Sequence, residues 1–159
     1  MLKQLSSLTV EADGRYATDR ELQFLKDYFT SVDQRISAYE KVRDAADTIL
    51  AEMEAEKNVR NQTEKEKLFY IGSDDRSQTC LRDMRGILRC SAAAMLIDDL
   101  ERMRQAVLLW YYTIVRAFGY EKDTEIMYRL LEKLVDKHLT EEEAELMKPI
   151  LQLNYTILR

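Results

Sequence analysis

Histidine and proline occur once each in this 159-residue chain, cysteine twice and glycine four times. A lone histidine, His138, removes the paired-ligand spacing that a structural zinc site needs. It stands at the polar end of a helix just before "LTEEE", where a surface residue favoured by the helix C-terminus is expected rather than a haem ligand. A nucleophilic cysteine needs an activating base held nearby, and His138 is the one imidazole on offer. The glycines form no phosphate-cradling loop. No enzyme is expected, and no catalytic or metal-ligating residue is assigned.

The two cysteines, Cys80 and Cys90, fall ten positions apart on one apparent helix. At a rise of about 1.5 Å per residue their Cα atoms lie about 15 Å apart, beyond the roughly 7 Å limit for a disulfide. Each is read as a free thiol, with Cys90 a core side chain. No stretch of about 18 uncharged apolar residues occurs, and "MLKQLSSLTVEADGRY" lacks the apolar core of a signal peptide, so a cytoplasmic location without membrane insertion is expected. The net charge is −5 with both signs interspersed. Arg82, Arg85 and Arg89 cluster, yet Asp83 sits among them, which suits a solvated or partner-facing surface and not a nucleic-acid footprint.

What is present is helical. Apolar residues make up 46% and charged residues 33%, a mix that with so few breakers favours an all-α single domain over 1–159. Capping signatures at Thr18-Asp19-Arg20-Glu21 and Ser31-Val32-Asp33-Gln34 predict two helix starts separated by a short break. The polar stretch at about 54 to 67 is helix, loop or both. Gly72 offers a helix stop after "LFYIG", and the small-residue run "CSAAAMLI" predicts a close packing contact. "AVLLWYYTIVRAFG" is apolar almost all round and predicts a central buried helix, stopped by Gly119, in which Trp110, Tyr111 and Tyr112 serve as core and interface. A helix from about Asp123 to Lys137 follows. Thr140-Glu141-Glu142-Glu143 caps the last helix, which Pro149 should kink or split. Carboxylates are expected on solvated faces. Seven or eight helices of uneven length suit globin-like orthogonal packing better than a four-helix bundle.

The ten residues "CLRDMRGILR" place the thiol of Cys80 three positions before Asp83. At about 100° per residue the two are neighbours on one face, with Arg76 one turn earlier on the same side. Arg82 lies about 200° from Cys80 and would have to reach around. An ordinary helix with a buried small side chain and a seat for a covalently attached group both fit these residues.

The string "TCLRDM" at 79–84, followed by "ILR" at 87–89, resembles the segment around the bilin-attachment cysteine of phycobiliproteins, above all the allophycocyanin type of the phycobilisome core. "EADGRYATDRELQFLKDYF" at 11–29 is similar to the family's N-terminal helices, and "VRAFG" at 115–119 to its late-helix stop. The resemblance implies a globin-like fold preceded by two short N-terminal helices that dock onto a partner subunit. It implies a linear tetrapyrrole, phycocyanobilin first, held by a thioether at Cys80. Asp83 would accept hydrogen bonds from the central pyrrole nitrogens, Arg82 would pair with a propionate, and Arg76 is within reach of the same anion. An acidic residue near the N-terminus would pair across a subunit interface with Arg89; Glu11 has the better spacing to Tyr16, and Asp13 is the runner-up. The implied role is light harvesting and energy transfer at a thylakoid surface in a cyanobacterium or red-algal plastid. Expected partners are a like or related subunit in a dimer, ring-shaped trimers of dimers, and linker proteins.

Departures from the family pattern bear on the pocket. Gly86 and Ile87 stand where the family usually has aromatics, and "CSAAAM" replaces a later tyrosine. The alternative expectation is therefore a member of the same fold that binds no pigment, or binds it non-covalently, and acts as a structural, regulatory or pigment-handling partner.

Overall fold

The computed structural model describes residues 1–64 and 67–159, apart from the side chain of Leu2. Helix-favouring composition gives helices α1 (Leu2–Glu11), α2 (Asp19–Thr63), α3 (Ser77–Leu96), α4 (Leu100–Met103), α5 (Leu109–Phe118), α6 (Glu121–Asp136) and α7 (Glu141–Leu158). A π-helical segment, Arg104–Leu108, joins α4 to α5. The all-α, globin-like class expected from the sequence holds. The one departure among the described residues is an antiparallel hairpin of strands β1 (Tyr70–Ile71) and β2 (Asp74–Asp75).

Both strong capping boxes form. The Thr18 hydroxyl accepts from the Glu21 N–H while the Glu21 carboxylate accepts from the Thr18 N–H at 2.8 Å, and Thr140 and Glu143 repeat the exchange. The break expected at Ser31 does not occur: α2 is one helix of 45 residues, so the second of the two short N-terminal helices is continuous with the long one. Ser31 turns its hydroxyl back on the helix, donating to the carbonyls of Asp27 and Tyr28, and accepts from Arg35 Nε at 2.9 Å. The side chain that would cap a new helix is used inside the old one. The polar stretch continues as helix to Thr63; Lys65 and Glu66 lie outside the described residues.

Gly72 stops no helix. It occupies the two-residue loop of the hairpin at φ 60°, a conformation that tight hairpin turns reserve for glycine. Gly119 does end α5 as expected, at φ 69° with the Tyr120 N–H closing onto Val115 at 2.9 Å. Pro149 neither splits nor ends α7, because Met147, Ile150, Leu151, Asn154 and Leu158 are buried on both sides of it and tertiary packing holds the helix.

The core lies where α2, α3, α6 and α7 pack together, and methionines fill it: Met53, Met84, Met95, Met127 and Met147 are all sealed from solvent. The small-residue run of α3 lets α7 approach, so that Asn154 Nδ2 donates to the fully buried Ser91 Oγ at 2.8 Å. Helix α5 is not centrally buried. Tyr111 and Val115 pack inward, while Trp110 is 63% exposed and Leu109 and Phe118 also face solvent. Nor are all carboxylates solvated. Glu143 is 4% exposed and binds the Lys41 ammonium at 2.7 Å and the Ser37 hydroxyl at 2.6 Å. Burial pushes its pKa up, and the hydrogen bonds from Lys41, Ser37 and Thr140 more than reverse that, holding it at about 2.

Candidate functional site

The start of α3 is set by the hairpin before it. The Asp75 carboxylate accepts from the Ser77 N–H at 2.8 Å, closing the first turn. Phe69, held in the left-handed region at φ 62°, donates its N–H to Asp123 at 2.6 Å and accepts from the Arg76 N–H at 2.8 Å. A bulky residue adopts that conformation only where its surroundings dictate it. The hairpin is thereby clamped to the head of α6, with Arg76 and Ile71 beside the first turn of α3.

A cavity of about 240 Å³ opens there. Helix α3 contributes Cys80 and Asp83 to its wall, its N-cap residue contributes Arg76, and the hairpin contributes Ile71. Tyr111, Ile114, Val115 and Phe118 of α5 form the opposite wall, with Tyr120 beyond them. Cys80 is 6% exposed, and its thiol is pushed up to about 12 by burial and then by the carboxylates of Asp83, Asp123 and Asp75. Tyr111 is raised by burial and by Asp83, and Tyr120 by burial and Cys80. Among the described residues the buried Tyr120 and Tyr128 hydroxyls have no hydrogen-bond partner. Each such orphan costs about 1–3 kcal/mol relative to a satisfied group.

Three of the residues singled out in the sequence, Cys80, Asp83 and Arg76, thus meet at one cavity. Arg82 does not line it. Its guanidinium approaches Asp83 Oδ1 at 3.5 Å from outside, and its exposed side chain borders a separate groove with Asp47, Glu54 and Arg85. The helical rotation that sets it about 200° from Cys80 accounts for that placement. Glu11, Asp13 and Tyr16 are all exposed, Tyr16 to 98%. Arg15 Nη2 grips Glu21 at 2.6 Å and so fixes the turn that presents them. Arg89 is exposed on α3, and no hydrogen bond or ion pair among the described residues joins it to the N-terminal set. Cys90 is a half-buried free thiol packed against the core. His138 is half-buried in the turn after α6.

The sequence reading placed Tyr111 in core and interface and assigned Tyr120 no role; the structure brings both to the cavity. The spacing Tyr111, Ile114, Val115 and Phe118 is a one-face helical pattern that pointed to a common wall, but nothing in it said which helix stood opposite.

The cavity offers a thiol to anchor a group, a carboxylate to accept N–H bonds, a guanidinium for an anion and aromatic rings for a flat conjugated body. This donor set fits a linear tetrapyrrole, and the orphaned Tyr120 hydroxyl marks a polar demand that the protein alone leaves unmet. Among the described residues no cluster of His, Cys, Asp or Glu could hold a metal ion, and no helix is long and apolar enough to cross a membrane. The family model described as "Phycobilisome protein" matches residues 8–157. No curated protein matches the chain.

Proposed function

This chain belongs to the phycobilisome protein family, and on that premise we propose that it is a light-harvesting subunit carrying a linear tetrapyrrole, phycocyanobilin first, by a thioether at Cys80. The observation that carries the reading is the meeting of Cys80, Asp83 and Arg76 in one aromatic-walled cavity. Cys80 anchors the pigment. Asp83 accepts from its pyrrole N–H groups and favours the protonated, extended form, and Arg76 pairs with a propionate. Arg82 supports Asp83 from outside the cavity. A bound bilin supplies visible absorption and a transferable excited state, and the protein supplies orientation and rigidity.

The exposed N-terminal set supports assembly. Val10, Tyr16, Phe29 and Ile36 present apolar area along α1 and the first half of α2, and Glu11 and Asp13 lie in the same region. Family members assemble as oligomers; here we place a dimer interface on this arm, with Glu11 or Asp13 meeting Arg89 of the partner to set register more than affinity. Rings of dimers, linker contacts and a thylakoid-surface location in a cyanobacterium or red-algal plastid follow from the same reading.

The test is expression in cells that make phycocyanobilin, with an absorption spectrum and a zinc-stained denaturing gel. Colour and gel fluorescence that vanish in Cys80→Ala carry the proposal; colour without gel fluorescence means a non-covalent pigment. A colourless chain points to the second reading, a pigment-free structural or regulatory partner, which the buried, protonated Cys80 thiol favours.

A further inference from the structure

Tyr111 stands out among the cavity residues. It is 8% exposed, it lines the same cavity as Cys80, Asp83 and Arg76, and its hydroxyl makes no hydrogen bond among the described residues. The Tyr120 and Tyr128 hydroxyls are also unpartnered, but they are sealed from solvent, and the Tyr111 hydroxyl is not one of those sealed oxygens.

The π-helical segment Arg104–Leu108 ends just before Leu109, two residues upstream of Tyr111. Such a segment accommodates an extra residue and turns everything after it by about 100° relative to an unbroken α-helix. The π segment therefore decides that Tyr111 joins the cavity wall rather than a neighbouring face.

The chemistry of the other cavity groups leaves one task unassigned. Asp83 can only accept, Arg76 is a cation suited to a carboxylate, and the Cys80 sulfur is committed to a thioether. A linear tetrapyrrole also carries oxygen acceptors, the lactam carbonyls of its end rings and its propionates. We infer that the Tyr111 hydroxyl donates a hydrogen bond to an oxygen of the bound tetrapyrrole and thereby acts as a positioning and colour-tuning residue. The inference rests on the pigment reading above. Burial keeps this phenol protonated through the neutral range, so it is a standing neutral donor.

The test compares wild type, Tyr111→Phe and Tyr128→Phe, each loaded with phycocyanobilin in cells, by native and acid-urea spectra. The same three substitution states in a Cys80→Ala background are titrated with free biliverdin, and pigment-free melting is recorded for all. Tyr111→Phe is expected to melt like wild type without pigment, because its hydroxyl has no partner to lose, whereas Kd for biliverdin rises about tenfold, the worth of one hydrogen bond. A shifted native band with an unchanged acid-urea band assigns the acceptor to a lactam carbonyl, which is conjugated with the pigment. Weaker binding with an unmoved band assigns it to a propionate, which is not. Tyr128→Phe should change neither. If wild type is coloured and Tyr111→Phe matches it in both band and Kd, the inference is overturned while the pigment reading stands. If wild type takes up neither phycocyanobilin nor biliverdin, the pigment reading fails and the inference falls with it.

Discussion

Two polar regions are built into this one helical core, and they are finished to different degrees. At the α2–α7 contact, Glu143 is buried with every acceptor oxygen engaged by Lys41, Ser37 and the Thr140 N–H. At the α3–α5 cavity, the Tyr120 hydroxyl is buried unpartnered and the Cys80 thiol is pushed up to about 12. A satisfied buried network rigidifies a fold, and an unsatisfied one costs stability until something fills it. The first region is a structural tie, and the second has the properties of a receptor.

Breaking the finished region should cost the most stability. Glu143→Ala removes the bonds to two side chains, Lys41 and Ser37, and half of a capping box, and about 3 kcal/mol should be lost in urea unfolding of the pigment-free chain. A loss under about 1 kcal/mol would mean that Lys41 and Ser37 are satisfied as well by water. Acid should reach the same region next. Glu143 lies below its ordinary value, so its contribution is complete above about pH 4.5 and fades as pH falls toward about 2. Glu21, also held at about 2, first by its hydrogen bond from Arg15, acts with the same sign from a half-buried surface site. Thermal midpoints of wild type should drop across that window, those of Glu143→Gln should drop less, and added salt should erase the Glu21 share alone. Equal acid slopes in wild type and Glu143→Gln would place the acid sensitivity elsewhere.

The unfinished region should behave in the opposite way. Cys80→Ala should cost only about 1 kcal/mol of pigment-free stability, because the thiol touches a cavity on one side, while removing covalent pigment altogether. Last, Tyr128→Phe should raise pigment-free stability by about 1 kcal/mol, since it deletes a buried hydroxyl that has no bond to lose and so removes its desolvation cost. A clear destabilisation by Tyr128→Phe in chemical denaturation would show that this hydroxyl has a partner and that the contrast between the regions is weaker than drawn.

The elements that could be read from the chain alone were those whose signal is local. Thr18, Thr140 and Gly119 act through neighbours within four residues, so spacing is enough to place them. Ser31, Gly72 and Pro149 carry equally familiar local signals, and each was redirected: Ser31 by continuation of a helix already nucleated, Gly72 by a hairpin, Pro149 by packing on both sides. Within the site, Arg76, Cys80 and Asp83 follow one another at about one-turn spacing on α3 and its N-cap and were legible as one face. Tyr111 and Tyr120 were not, because they reach the cavity from α5 and the turn after it.

The sequence by itself determined the all-α class, the principal helix caps, and the thiol–carboxylate–arginine face of α3, because these depend on contacts a few residues apart and on a fixed 3.6-residue period. Tertiary structure alone decided that Glu143 is buried and satisfied and that Tyr111 closes the cavity. Those outcomes depend on which helices pass each other and on a π segment whose phase shift no local preference announces. Long-range packing sets them, and a one-dimensional pattern carries no record of distance between helices.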